Sequence, residues 1–455
     1  MDDRRPKARA VPSGRLTRLM QIGGLATNIG GRAIAQGLGQ LATGRRLDAR
    51  DLLLTPANAA RLALQLSRMR GAAMKVGQLI SMESGQFLPP QLAQMLQGLQ
   101  AEADHMPERQ LQRVLAQAWG TDWRRGFADF QVRPIAAASI GQVHRAVTHD
   151  GRVLAVKVQY PGVRASIDSD VDNLGLLLRI SGLLPPGTDI APLLEETRLQ
   201  LHAEADYLAE AAKMTAYARA LGDREGVIMP TPDPDLTTSH VLAMQFIDSQ
   251  PIDSLIHAPA ATRNKVAQDL IDLTLDELFH FNLMQTDPNF ANYRWQPQTG
   301  RVVLLDFGAL RSFSSELAPT YLQLLRAGLA DDRDAVRQAA IDIGYLASDA
   351  DAGHQAAVMQ MIELALSPLR RGEDFDAAAT TIPQQIADIA LSLSQSRRVA
   401  HVPPPQIMFL HRKLGGLFLL LSRLQARIDL DRLLHRLGVS GPDRTAYHPP
   451  ELPRG

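Results

Sequence analysis

The sequence predicts an α+β protein with two lobes, preceded by a helical segment. Two runs with strand character, Val143 to Val147 and Val153 to Val158, flank Asp150-Gly151, and this dipeptide between such runs is a strong hairpin signal. Helical periodicity dominates the first third of the chain. With 455 residues, of which 45% are hydrophobic, the chain can form a large core and more than one lobe.

Composition excludes cysteine chemistry and gives no argument for nucleic-acid binding. The chain has no cysteine, so any metal would be held by oxygen or imidazole ligands. Basic and acidic residues both number 48, and because no apolar core of signal-peptide type occurs before Arg15, we expect no secretion signal. The apolar windows Leu174 to Leu184 and Ile407 to Leu421 are interrupted by Arg179 and by His411-Arg412-Lys413, and both are too short to span a bilayer. We therefore expect a cytoplasmic protein that could contact the inner face of a membrane without crossing it.

The two ends of the chain differ in composition from the rest. Residues 1–50 combine a flexible basic arm with a Gly- and Ala-rich segment, and residues 441–455 form a proline-rich tail. The segment from Leu16 to Leu41 could be a membrane-facing amphipathic helix or a packing surface. Glycine weakens an isolated interfacial helix, which favours packing.

An apolar stripe at helical spacing precedes the predicted sheet. Lys75 and Gln78 lie three residues apart on one flank of this helix, and Gly77 lies inside it, where glycine costs about 1 kcal/mol relative to alanine. Spacing alone favours a solvated flank with an incidental glycine, while a close contact is the alternative reason for Gly77. The stripe itself consists of Leu62, Leu66, Met69, Ala73, Val76 and Ile80.

A loop of small residues, Ala136, Ala137, Ala138 and Ser139, comes before the hairpin. Lys157 follows an apolar run in the second strand of that hairpin. A strand can fix such a lysine so that its ammonium reaches the α- and β-phosphates of a nucleotide, although a lone lysine of this kind is more often solvated. Alanine restricts the backbone more than glycine does, so we expect a stiffer loop over the phosphates than the glycine-rich loop of protein kinases.

A long helical pattern over residues 192 to about 221 contains Glu204, Asp206 and Glu210. Asp206 and Glu210 share a helix face, whereas Glu204 lies near the opposite side, so all three can serve one site only if the helix bends or the nucleotide lies across it. Glu210 is the candidate partner of Lys157. Glu204 by itself is equally well explained by an exposed acidic face.

A strand and a connector between the lobes follow over Val241 to Ile247. Backbone groups at Gln245 to Ile247 could pair with adenine. The two residues that we assign to nucleotide binding here are therefore Gln245 and Ile247.

Three polar residues in the second half of the chain meet the requirements of phosphoryl transfer. Asp287 and Asn292 lie five residues apart, the interval between the Asp and Asn of the kinase catalytic loop, so that one would orient the acceptor hydroxyl and the other bind metal. Asp306 follows the apolar run Val302 to Leu305, which predicts a strand that presents a carboxylate to Mg²⁺, and a hairpin should join this strand to the segment after Asn292. Each signal alone is weak. Together with Lys157, their order and intervals predict an ATP- and Mg²⁺-dependent phosphotransferase.

These residues together resemble the UbiB/AarF family of protein-kinase-like proteins, and most of all its coenzyme-Q-associated branch. The resemblance covers residues 55 to about 315 in order, and it includes elements that ordinary protein kinases lack. The similar elements are Lys75-Val-Gly77-Gln78 for K-x-G-Q, Ala136 to Ser139 for the alanine-rich loop, Lys157 and Glu210 for the nucleotide lysine and its partner, Glu204-Ala-Asp206 for E-x-D, Gln285 to Asn292 for the catalytic loop, and Asp306-Phe-Gly308 for the metal-binding triplet.

The resemblance implies a two-lobed protein-kinase-like fold with an N-terminal helical extension. The extension would span residues 51–130, the N-lobe 131–248 and the mainly helical C-lobe 249–440. Lys75, Gly77 and Gln78 would form a lid that restricts the site to small or lipid-like acceptors. The implied function is an ATP- and Mg²⁺-dependent kinase or ATPase that supports ubiquinone biosynthesis, with a lipid or quinone precursor and other ubiquinone-biosynthesis proteins as partners.

Three departures from the family pattern bear on this interpretation. Gln285 to Asn292 differs from the H-x-D-P-H-P-G-N of many bacterial members and is closer to the mitochondrial type. Gln245 stands where the family commonly has a connector glutamate, and backbone recognition of adenine should survive that change. No A-P-E follows Gly308, which argues against regulation of the kind that protein kinases use.

Two other functions use some of the same residues. A nucleotide-switched lipid-binding chaperone or scaffold with negligible turnover would need the same ATP site. An aminoglycoside-type phosphotransferase shares the interval from Asp to Asn and the following Asp, but that family has no K-x-G-Q element.

Overall fold

A computed structural model of the chain describes residues 71–72, 75–76, 105–180, 190–372, 374–395 and 403–439. These residues form two compact units. The first contains the described residues up to Ala218 together with Pro230–Ile247 and Phe307–Ala309. The second contains Arg219–Met229, Asp248–Asp306 and the described residues from Leu310 onward. The arm, the Gly- and Ala-rich segment and the tail that the sequence predicts at the two ends lie outside the described residues.

The first unit is built on an antiparallel sheet, and helices precede and follow the hairpin of this sheet. In chain order its elements are α1 (Glu108–Trp119), β1 (Phe127–Phe130), β2 (Ala136–Ala137), β3 (Gly141–Thr148), β4 (Val153–Gln159), α2 (Val163–Ile180), α3 (Ala191–Glu204), α4 (Tyr207–Leu221), which begins in this unit, and β6 (Val241–Gln245). Strand β5 (Val227–Ile228), which lies between α4 and β6 in the chain, belongs to the second unit. The strands of the first unit are arranged in the order β1-β3-β4-β6, with β2 paired to β3.

The predicted hairpin is confirmed. Strands β3 and β4 pair from Gly141 opposite Gln159 to Val147 opposite Val153. Gly151 in the turn has a φ of 84°, a conformation that glycine adopts without the steric penalty of a side chain. Local turn chemistry therefore sets the register of the strand that carries Lys157.

An aromatic cluster orients β4. Trp123 and Phe130 are buried with their ring centroids 4.9 Å apart, in one core with Val156 and Val158 of β4. Because successive side chains of a strand point to opposite faces, packing of these two valines directs Lys157 to the other face of the sheet.

The single helix predicted from residue 192 to about 221 is wrong, because the chain forms two helices. Helix α3 ends at Glu204 and α4 begins at Tyr207. The Oδ1 atom of Asp206 accepts a hydrogen bond of 3.0 Å from the N–H of Ala209, which caps α4. An aspartate that bonds to the local backbone in this way competes with a continuous helix. The break separates Glu204 from Glu210.

The second unit is mainly helical. After β5, its strands and α-helices are β7 (Gln250–Pro251), α5 (Ala260–Asp276), β8 (Leu283–Gln285), β9 (Tyr293–Gln296), β10 (Arg301–Leu304), β11 (Leu310–Ser312), α6 (Leu317–Leu329), α7 (Arg333–Ile343), α8 (Ala352–Arg371), β12 (Phe375–Asp376), α9 (Ile382–Gln395), α10 (Pro405–Arg423), β13 (Arg427–Ile428) and α11 (Leu430–Arg436). The strands form sheets of the orders β5-β10-β9-β7, β8-β11 and β12-β13, and a short π-helical segment, Glu277–Phe281, follows α5.

The hairpin predicted after Asn292 is present. Strands β9 and β10 pair from Tyr293 opposite Leu304 to Gln296 opposite Arg301. The N–H of Leu305 donates to the carbonyl of Asn292 at 3.1 Å, so the two ends of the hairpin stay together. Within the described ranges, no helix is long and apolar enough to cross a membrane.

Candidate active site

The first unit forms the predicted ion pair between Lys157 and Glu210. The Nζ atom of Lys157 lies 3.0 Å from both carboxylate oxygens of Glu210. Lys157 is 9% exposed and Glu210 is 1% exposed, and the ring of Tyr207 lies 5.2 Å from the same ammonium. The alternative of a solvated lysine at the strand edge is therefore wrong. A buried charge pair of this kind is stable only when both groups are well bonded, which the two-oxygen contact provides.

Helix α4 also holds the chain that follows Asp306. The Nζ atom of Lys213 donates to the carbonyl of Gly308 at 2.7 Å, and the rings of Tyr217 and Phe307 lie 5.1 Å apart. Residues 210, 213 and 217 share one helix face, so the face that meets Lys157 also contacts Phe307 and Gly308. Sequence reasoning missed Lys213 and Tyr217, although their spacing from Glu210 was the available signal.

The alanine-rich loop becomes a short edge strand and a tight turn. Ala136 and Ala137 pair with Val143 and Gln142 of β3, and the N–H of Ala138 donates to the carbonyl of Gly141 at 2.9 Å. Ala136 and Ala137 are exposed, as a loop that meets a ligand would be. The assignment of Ala136 to Ser139 to phosphate contact stays a prediction.

Glu204 connects this loop to the helical segment before it. One carboxylate oxygen of Glu204 lies 2.6 Å from Nζ of Lys75, and the other accepts a hydrogen bond from the hydroxyl of Ser139. Lys75 is 2% exposed and Glu204 is 7% exposed. The solvated flank for Lys75 and the exposed acidic face for Glu204 are thus both wrong. The other two lid residues, Gly77 and Gln78, lie outside the described residues.

Asp206 does not share these contacts. Its carboxylate caps α4 and lies 4.0 Å from the guanidinium of Arg164, and its side chain is 42% exposed. The two acidic residues of the E-x-D element therefore have different roles. Glu204 forms an ion pair with Lys75, whereas Asp206 caps the start of α4.

The connector after β6 is partly used by the sheet itself. The N–H of Gln245 donates to the carbonyl of Thr231, and the N–H of Phe246 donates to the carbonyl of Val153, each at 2.9 Å. Gln245 pairs with Leu154 of β4. Adenine recognition at Gln245 and Ile247 stays a prediction.

In the second unit, the segment from Gln285 to Asn292 folds around the backbone of Asp287. The side-chain amides of Gln285 and Asn292 both donate to the carbonyl of Asp287, at 2.8 and 3.2 Å. The three residues are buried, and the side chain of Asn289 accepts from the N–H of Ala291 at 3.1 Å. Two side chains on one carbonyl hold the loop in a single conformation around the predicted catalytic carboxylate.

The predicted metal ligands suit Mg²⁺ in the presence of a nucleotide. The bond from Leu305 N–H to the Asn292 carbonyl brings the chain just before Asp306 to Asn292, and the Asn292 amide nitrogen is engaged by Asp287. Mg²⁺ commonly binds one or two carboxylates together with substrate phosphates and water. Among the described residues, no three His, Asp or Glu side chains form a cluster that could hold a metal. Phosphate oxygens would therefore complete the coordination, and the assignment of Asn292 and Asp306 stays a prediction.

Comparison with known proteins places this chain in a family. A family model described as ABC1 atypical kinase-like domain matches residues 98–340. The chain is 35% identical over 435 residues to the mitochondrial atypical kinase COQ8 of Saccharomyces cerevisiae, with 95% of this chain and 86% of that protein covered. It is 36% identical over 426 residues to the mitochondrial atypical kinase COQ8B of Rattus norvegicus, with 93% and 80% covered.

A solved structure shares the fold. The structure of the Rv3197–erythromycin complex from Mycobacterium tuberculosis has a TM-score of 0.58 and 24% sequence identity, over 80% of this chain and 90% of that chain. The predicted α+β kinase-like fold and the predicted family are both confirmed. The chain belongs to the ABC1, or UbiB/AarF, family of atypical kinases and is an enzyme of the phosphotransferase class.

Proposed function

We propose that this protein is an ATP- and Mg²⁺-dependent kinase or ATPase that supports ubiquinone biosynthesis by acting on a small-molecule or lipid precursor. The observation that carries the nucleotide part is the buried contact of Lys157 with both oxygens of Glu210. Such a contact fixes the position of the lysine ammonium, which is what binding the α- and β-phosphates requires.

The catalytic loop supplies the other part of the chemistry. Asp287 would orient the acceptor hydroxyl and take its proton, while Gln285 and Asn292 hold the Asp287 backbone. Asn292 and Asp306 would hold Mg²⁺, which neutralises charge on the phosphates when it is bound. Phosphoryl transfer depends mainly on such positioning and charge neutralisation.

The contacts of Lys75 support a restricted acceptor. Lys75 is buried against Glu204, whose second oxygen bonds to Ser139 of the alanine-rich loop. A lid residue that is buried in an ion pair should move less readily than one on a solvated helix, so we expect large protein acceptors to be excluded. The names of the COQ8 relatives support the assignment to ubiquinone biosynthesis. We expect the protein to contact only the surface of the membrane in which such precursors reside.

The test is steady-state ATP turnover of the purified protein with Mg²⁺. It is measured with and without anionic lipid vesicles and a phenolic quinone precursor, and Asp287→Asn is the blank. Turnover that rises with vesicles and precursor and vanishes in the variant supports the proposal, and phosphate found on the precursor identifies a kinase. Tight nucleotide binding without turnover above that of the Asp287→Asn variant would contradict this proposal and favour the nucleotide-switched scaffold.

A further inference from the structure

Helix α10 lies outside the residues that match the family model, which end at 340, yet it runs along the catalytic loop. Residues spread over its length make these contacts. They are Arg412, Lys413, Gly416 and Arg423.

Lys413 makes the most buried of these contacts. Its ammonium lies 3.2 Å from Glu277 and 3.1 Å from the hydroxyl of Tyr293, and Lys413 and Glu277 are 2% and 0% exposed. Burial by itself lowers the pKa of Lys413, but Glu277 and Tyr293 raise it above its ordinary value overall. The other oxygen of Glu277 accepts the N–H of Gln285 at 3.0 Å. Lys413 thus acts through Glu277 on the first residue of the loop, and Tyr293 follows its last residue.

The other contacts reach the middle of the loop. The guanidinium of Arg412 lies 3.7 Å from a carboxylate oxygen of Asp287. A Cβ atom added at Gly416 would lie 2.2 Å from the Cβ of Pro288, so glycine permits the helix to touch the loop there. The guanidinium of Arg423 lies 5.8 Å from the ring centre of Phe290.

We propose that helix α10 is the platform that positions the catalytic loop, and that Arg412, Lys413 and Gly416 are positioning residues for phosphoryl transfer. This inference rests on the proposed role of Asp287. The contacts of α10 follow the loop from Gln285 through Phe290 to Tyr293, so movement of the helix moves Asp287 relative to a bound acceptor. A misplacement of about 1 Å can lower a rate about a hundredfold without changing the chemistry.

Two neighbouring glycines of α10 provide a matched experiment. Gly416→Ala adds one methyl group against Pro288, whereas at Gly415 an added Cβ would meet no described atom within 4 Å. The change from glycine to alanine raises helix propensity equally at both positions, so this effect cancels when the two variants are compared. We expect Gly416→Ala to lower kcat by about tenfold or more with the affinity for ATP and Mg²⁺ within about twofold of wild type. Gly415→Ala should behave as the wild type.

A second measurement does not depend on turnover. Hydrogen–deuterium exchange of residues 283–293 should be faster in Gly416→Ala than in Gly415→Ala, because the displaced loop loses its support. If the wild type has no turnover, the proposed function fails and this exchange alone decides the role of α10. Wild-type kcat and wild-type exchange in Gly416→Ala, or equal changes in both glycine variants, would overturn the proposal.

Should Gly416→Ala not fold, Arg412→Gln gives the same test with a smaller packing change. Its control is Arg427→Gln, which removes an arginine that pairs with Asp376 and is 66% exposed. Lower kcat at retained ATP affinity in Arg412→Gln alone supports the platform. Equal kcat in the two arginine variants refutes it.

Discussion

Replacing Lys413 with methionine should strongly destabilise the second unit. Methionine is similar in length to lysine, so the change removes the ammonium and leaves little cavity. Glu277, which is 0% exposed and lies 3.2 Å from that ammonium, then loses this neutralising contact while its carboxylate stays buried. Removing one partner of a buried ion pair typically costs about 3–5 kcal/mol. For a unit of this size, that loss corresponds to a fall in melting temperature of roughly 6–20 °C.

An exposed ion pair supplies the comparison. Arg427 and Asp376 lie 3.4 Å apart with side chains that are 66% and 35% exposed. Arg427→Met should therefore lower stability by less than about 1 kcal/mol. The contrast separates the effect of burial from the effect of removing a positive charge.

The assay is a double-mutant cycle in which thermal unfolding is monitored by calorimetry and by circular dichroism. Glu277→Gln removes the negative charge and keeps an acceptor for the N–H of Gln285. Adding it to Lys413→Met should recover much of the loss, with a coupling energy of about 2 kcal/mol. Additive single effects, or a Lys413→Met protein within about 1 kcal/mol of wild type, would refute this reasoning.

Three further predictions concern other parts of the site and its support. Asp306→Asn should abolish Mg²⁺-dependent stabilisation by ATP in a thermal-shift assay, and stabilisation equal to wild type would contradict the metal assignment. Lys213→Met removes the hydrogen bond to Gly308, so Mg²⁺-dependent ATP binding measured by calorimetry should weaken about tenfold. An equal loss without Mg²⁺ would argue against an effect through Asp306. Burial lowers the pKa of His144 from 6.5 to about 4, so the folded protein binds fewer protons than the unfolded chain between these values. The contribution of neutral, buried His144 to the free energy of unfolding is complete above pH 6.5 and falls by roughly 3 kcal/mol as the pH drops towards 4. His144→Phe should flatten that part of the stability profile, and an unchanged acid dependence would exclude His144 as its source.

Local sequence patterns predicted the elements that carry the site. Asp150-Gly151 between two runs with strand character specified the hairpin of β3 and β4, because turn type and side-chain alternation are properties of adjacent residues. The hairpin after Asn292 was predicted from the apolar run that precedes Asp306. The pair of Lys157 and Glu210 spans 53 residues, and it was predicted from the order of the motifs rather than from any local periodicity.

The break between α3 and α4 shows where local reasoning stopped. The apolar spacing was compatible with one helix through residue 205, but Asp206 caps a new helix with its own side chain. An aspartate can bond to solvent, to a distant cation or to the local backbone, and the surrounding packing selects among these. The same selection buried Glu204 against Lys75, where the sequence was equally compatible with an exposed acidic face.

The long-range contacts of Lys413 and Lys213 were decided only by the tertiary structure. Along the sequence, Arg412 and Lys413 merely interrupt an apolar window, whereas in the fold Lys413 bonds to Tyr293 across 120 residues and Lys213 bonds to Gly308 across 95. Periodicity records that a charged residue occupies a helix face, but it carries no information on which carboxylate or carbonyl packs against that face. Burial of the ammonium is favourable only when such a partner arrives from elsewhere in the chain, and its arrival is a property of the whole packed unit.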